Sequence, residues 1–115
     1  MASPSSLLPV DRDAVCPLQL PGDAVVHGIV SQALLTAPGL RATLFRFAPG
    51  QELSEHSSPA RVLVQVMAGE CEFTVGDRVH RLLPGELLHL PPRVPHAVRA
   101  PTDLTLLVLQ ATPPT

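Results

Sequence analysis

The feature that most limits what this chain can become is its punctuation, in which prolines and glycines recur singly or in pairs between apolar stretches of strand length. Pro38-Gly39, Pro49-Gly50, Gly69, Gly76-Asp77, Pro84-Gly85, Pro91-Pro92 and Pro101 separate the runs "LRATLFRFA", "VLVQVMA", "CEFTV", "VHRLL", "LLHL", "HAVRA" and "LTLLVLQ". Proline cannot donate to a sheet ladder and glycine weakens a strand interior, so these positions read as turns. Turns about 8 to 12 residues apart are those of an antiparallel sandwich or barrel. No helical periodicity competes. The fourteen prolines are spread among the runs instead of gathered in a block, which separates the chain from a Pro-rich linker.

Within the runs the side chains alternate. In "CEFTV", Cys71, Phe73 and Val75 share one face and Glu72 and Thr74 the other, as a half-buried strand requires, and Gly76-Asp77 then offers a tight hairpin turn. "VLVQVM" is apolar on both faces except at Gln65, so a central strand covered on both sides is expected, with Val62, Val64 and Val66 in one core with Phe73 and Val75. Roughly eight to ten strands follow from the turn spacing. Residues 1–13 lack periodicity and are expected as a loose arm, or one that packs on a partner subunit, ahead of a single domain over residues 14–115.

Composition removes several functions. A length of 115 residues with 45% hydrophobic and 16% charged content suits one globular domain. A net charge of −2, no Lys/Arg cluster, three Phe and no Trp or Tyr leave neither a phosphate-binding face nor a stacking platform, so no nucleic acid is expected. The longest apolar runs fall short of the roughly 20 residues of a spanning helix, and "MASPSSLLPVDRD" has no basic start followed by an apolar core. A soluble, cytoplasmic protein without a membrane partner is expected. Cys16 and Cys71 form no CxxC pair, so both read as reduced thiols and Cys71 as a small core residue.

Two motif frames then stand out. Gly50, His56, Ser58, Val62 and Gly69 fall at the spacing of Gly, five residues, His, one, His, three or four, Glu, six, Gly; Gly85, Pro91, Arg93, His96 and Ala100 fall at that of Gly, five, Pro, one, Gly, two, His, three, Asn. On these frames the chain resembles a small single-domain cupin of the RmlC-like superfamily over roughly residues 40 to 110. The resemblance implies an all-β fold, a double-stranded β-helix or jelly-roll barrel. In metal-bearing members two His and a carboxylate, or a His or Gln in its place, from the first motif join one His from the second around a divalent metal. Here Ser58 and Val62 replace two of those four ligands and leave His56 and His96, while Arg93 takes a glycine's place.

The pocket expected from this resemblance comprises His56, Ser58, Val62, His89, Arg93 and His96. His89 enters as a substitute ligand, although Leu87 with His89 and Leu88 with Leu90 make two equally acceptable faces of its strand. Glu52 and Glu55, on the loop before His56, read as solvated charges, and His27 and His80 as surface histidines. Arg61, Arg93 and Arg99 flank the motifs, where an arginine pairs well with an anion. Two functions follow. One is a binding module for a small molecule, neutral or anionic, in a largely apolar barrel mouth, with a degenerate metal site. The other is a metal-dependent enzyme of dioxygenase, isomerase or hydrolase type, in which His56 and His96 would hold Fe, Mn, Ni or Zn. The apolar last strand, Leu104 to Leu109, leaves a sheet edge that a second copy would cover, so a homodimer with residues before about Val30 near its interface is expected.

Overall fold

The chain folds as the expected all-β jelly-roll barrel. The computed structural model describes residues 6–19 and 28–113, and among these nine strands form: β1 (Val30–Ala37), β2 (Leu40–Phe47), β3 (Glu52–His56), β4 (Arg61–Ala68), β5 (Cys71–Val75), β6 (Arg78–Leu82), β7 (Leu87–Leu90), β8 (His96–Arg99) and β9 (Leu104–Ala111). They make two sheets, in the orders β1-β2-β9-β4-β7 and β3-β8-β5-β6, and every strand pair is antiparallel. Glu52 and Glu55, expected on a loop, lie on β3 and are exposed. No helix among the described residues is long and apolar enough to cross a membrane. His27 lies outside the described residues.

The turns fall at the punctuation. Ala37 pairs with Leu40 across Pro38-Gly39, and Val75 with Arg78 across Gly76-Asp77, so both hairpins close with two residues. Gly76 holds φ at 60°, the left-handed conformation that such turns require and that a Cβ resists.

Alternation then assigns the faces. Val62, Val64 and Val66 from one sheet meet Cys71, Phe73 and Val75 from the other in a single core with Phe47, Leu104 and Leu106. Burying side chains of this size stabilises by about 1.5–3 kcal/mol each. The outward residues of the five-stranded sheet make a smaller cluster around Leu34, Ala42 and Leu44, against which Cys16 packs. Leu63, Gln65 and Met67 on the outer face of β4 are only half-buried, so the expected cover on both sides of that strand is partial.

Part of the expected arm lies along β1. The Leu7 and Leu8 N–H groups donate to the Ala33 and Leu34 carbonyls at 3.3 and 2.7 Å, and the Ser6 and Thr36 hydroxyls are 3.0 Å apart. These contacts occupy backbone groups on the free edge of β1. Farther along, Val10 and Val15 are 62% and 99% exposed.

Candidate functional site

Strand register brings two cross-strand rows to one end of the barrel. On the five-stranded sheet, Arg41 of β2 pairs with Gln110 of β9, Gln110 with Val62 of β4, and Val62 with Leu90 of β7. On the other sheet, His56 of β3 pairs with His96 of β8, and His96 with Val75 of β5. Residues opposite one another on antiparallel strands share a face, with Cβ atoms about 4.5–5.5 Å apart. A cavity of about 120 Å³ opens between the rows, and His56, His96, Ser58 and Gln110 supply its polar side chains. The remaining lining is apolar and includes Phe45, Phe47 and Phe73, which are all the aromatic side chains of the chain other than histidine.

The two imidazoles are fixed alike. Their centroids stand 4.3 Å apart with the planes 61° from parallel, and the His96 ring stacks on Phe73 at 5.6 Å. His56 Nδ1 lies 2.9 Å from the Ser54 carbonyl oxygen and His96 Nδ1 2.9 Å from that of Val94. A carbonyl oxygen only accepts, so each Nδ1 carries the proton and donates it. In the neutral rings both Nε2 atoms are therefore left as acceptors. His96 is 8% exposed and His56 is exposed at the rim, so one acceptor sits deep and one shallow. Ser58 Oγ accepts from the Ala60 N–H at 3.1 Å, which keeps its own O–H available as a donor.

Of the six residues expected in the pocket, His56, Ser58, Val62 and His96 line the cavity and His89 and Arg93 do not. On β7 it is Leu88 and Leu90 that are buried, which turns His89 outward, where Arg61 Nη1 donates to its Nε2 at 2.8 Å. Arg93 is exposed; its backbone N–H donates to the Ser58 carbonyl at 2.8 Å, so it joins the mouth through its main chain. Arg99 pairs with Glu72 at 3.2 Å. None of the three arginines expected to pair with an anion lines the cavity.

Gln110 is the polar lining residue that the motifs do not reveal. Leu104, Leu106 and Val108 set a two-residue period along the inner face of β9, and Gln110 is the next position on it. A polar residue continuing an apolar inward series is the signal that marks it. Its cross-strand partner is Val62, the residue standing where the motif has a carboxylate.

The donor set decides what the cavity can hold. His56 and His96 are placed as two metal ligands would be, each with its Nδ1 proton engaged by a carbonyl. The remaining polar side chains are a hydroxyl and an amide, and no group of three or more His, Cys, Asp or Glu is gathered among the described residues. Catalytic zinc sites use three protein ligands, and first-row metals favour imidazole, carboxylate or thiolate. Two imidazoles with no anionic donor do not fit such a centre. Cys71 supplies none, being 1% exposed in the core, with its thiol pushed up from 9.0 to about 12 by burial and, secondarily, by the Glu72 charge.

The cupin domain family model matches residues 43–110. No curated protein matches the chain. Among solved structures the chain is similar to a protein of unknown function from Streptococcus pyogenes, with a TM-score of 0.81 and 25% identity over 96% of this chain and 97% of that one. A cupin superfamily protein from Desulfitobacterium hafniense gives a TM-score of 0.77 at 24% identity, over 96% and 100%. A DMSP lyase from Ruegeria pomeroyi gives 0.67 at 27% identity, over 72% of this chain and 46% of that one.

Proposed function

The chain belongs to the cupin domain family, and from that premise we propose that it is a binding module whose cavity takes a small, mainly apolar molecule and accepts a hydroxyl or N–H of that molecule on its histidines. One observation carries this reading: both Nδ1–H groups are committed to backbone carbonyls, so both Nε2 atoms stand as acceptors at a cavity otherwise walled by phenylalanine and aliphatic side chains. Such a pocket gains affinity from burial and orientation from a few polar groups. The enzyme alternative requires a further ligand beside His56 and His96, and the neighbouring Val62 cannot be one.

A test uses 3-phenylpropan-1-ol, which joins an aromatic body to one hydroxyl. Titration followed by NMR is expected to show saturable binding that perturbs Phe73 and Val98, neighbours of the cavity. His56→Ala and His96→Phe, the second keeping a ring against Phe73, are each expected to weaken binding about fivefold, the equivalent of one hydrogen bond of ~1 kcal/mol. Elemental analysis of protein purified without a metal-affinity tag separates the two readings. A stoichiometric metal lost in both variants would refute the metal-free binding module and supply the metal site that the enzyme alternative requires.

We also propose a homodimer, but not through the edge expected at Leu104 to Leu109, because β9 lies between β2 and β4 inside its sheet. Val15, 99% exposed, and Val10, 62% exposed, extend from the segment that follows the β1 edge, and Leu87, 63% exposed, stands on the outer face of the five-stranded sheet. A second copy covering both would remove this apolar surface from water. Sedimentation at micromolar concentration is expected to give a dimer, and Val15→Asp a shift towards monomer; a monomeric parent protein would refute it.

A further inference from the structure

Next to the cavity lies a second cleft of about 290 Å³, whose lining includes Arg41, Ser58 and Gln110. Ser58 and Gln110 line both spaces, so the two adjoin at those side chains. The cleft differs in one respect that matters for recognition, because it contains a cation. Arg41 is exposed, no carboxylate lines the cleft with it, and it takes part in none of the ion pairs among the described residues. Gln110 stands directly across from it on β9.

We propose that Arg41 and Gln110 form a carboxylate-binding subsite at the mouth, and that the ligand is a small amphipathic acid with its apolar body in the phenylalanine-lined cavity and its carboxylate in the adjoining cleft. Resting on the binding-module reading, this adds the chemical class of the ligand. A guanidinium offers two parallel N–H donors that match the two oxygens of a carboxylate, and the Gln110 amide can donate a further hydrogen bond to the same group. The charge stays at the solvated rim while the apolar end is buried, so no unpaired ion enters the core. Polarity is thus divided between two stations. The histidines accept hydrogen bonds inside, and the arginine neutralises charge outside.

The experiment compares 3-(4-hydroxyphenyl)propionate with 3-(4-hydroxyphenyl)propan-1-ol, two probes of nearly the same shape that each carry a phenol hydroxyl for the histidines and differ in charge, by NMR titration of the full chain at low ionic strength. The acid is expected to bind about fivefold more tightly than the alcohol, and raising the salt concentration is expected to narrow that preference, since Arg41 is exposed to screening. Arg41→Gln, on an exposed strand position, is expected to lower acid affinity to that of the alcohol while leaving the alcohol unchanged. Equal binding of acid and alcohol by the parent protein, or an acid preference that survives Arg41→Gln, overturns the subsite and leaves the cavity reading standing. Binding of neither probe overturns both.

Discussion

The two ends of the barrel are built from the same strands and finish them differently. At the closed end Phe47, Val66, Cys71, Ala100 and Leu104 are each 1% exposed or less, and the polar groups there are paired with one another: Gly50 N–H donates to the Ala100 carbonyl at 2.7 Å and Ala100 N–H to that of Gln51 at 2.9 Å, the Gln51 and Thr102 side chains accept from the Ala48 and Glu70 N–H groups, and Arg46 pairs with Asp103. At the open end the strands terminate in Arg41, Gln110, His56 and His96, with side-chain polar atoms around a space. β9 contains the whole gradient, from Leu104 at 0% and Leu106 at 2% to the half-buried Val108 and Gln110. Pairing among these groups satisfies them outside the core, so one end is sealed by polar groups that already have partners. The other end, left unsealed, keeps the side chains with which a ligand can bond.

This contrast breaks most forcefully at Gly69. It joins β4 to β5 at the closed end with φ at 87°, and a Cβ there would collide with the Asp103 carbonyl oxygen. Gly69→Ala is expected to cost about 3 kcal/mol or more, combining left-handed strain with a clash against main chain. Gly76→Ala is the control, since φ is 60° but no atom lies within 4 Å of the added Cβ, and about 1 kcal/mol is expected from conformation alone. Urea unfolding of both variants measures the difference. Equal losses would mean that the closed end is not held by close backbone approach.

How far the sequence foretold each end follows the same division. Alternation in "CEFTV" and the valines of "VLVQVM" placed Val62, Val64, Val66, Phe73 and Val75 in one core, because a two-residue period leaves only a choice of face and burial settles it. The motif frames brought His56 and His96 together, since each histidine lies at a fixed distance from a turn glycine. His89 was ambiguous for a physical reason: "LLHL" is apolar at three of four positions, so its period does not say which pair faces inward. Gln110 escaped because it belongs to no motif. Its place beside Val62 and Arg41 depends on β9 inserting between β2 and β4, a pairing between distant segments that local pattern does not encode.

The smaller test of the comparison lies at the mouth, where Arg93 reverses the situation of Gly69. It is the non-glycine residue with positive φ among those described, at 67°, and it stands where the second motif has glycine. An L-residue held there is strained by roughly 1–2 kcal/mol, while glycine loses about 0.5–1 kcal/mol through the greater freedom of the unfolded chain. Arg93→Gly is therefore expected to stabilise the protein by about 0.5–1 kcal/mol, a rise of a few degrees in Tm. The bond from its N–H to the Ser58 carbonyl belongs to the main chain and survives the change, so the cavity wall keeps its position. Binding of 3-phenylpropan-1-ol should then be unaltered, because the Arg93 side chain does not line the cavity. Thermal unfolding and the same NMR titration check both halves. A loss of stability would show that the arginine side chain makes a contribution larger than the strain of its backbone, whereas a loss of binding at unchanged stability would place that side chain at the mouth after all.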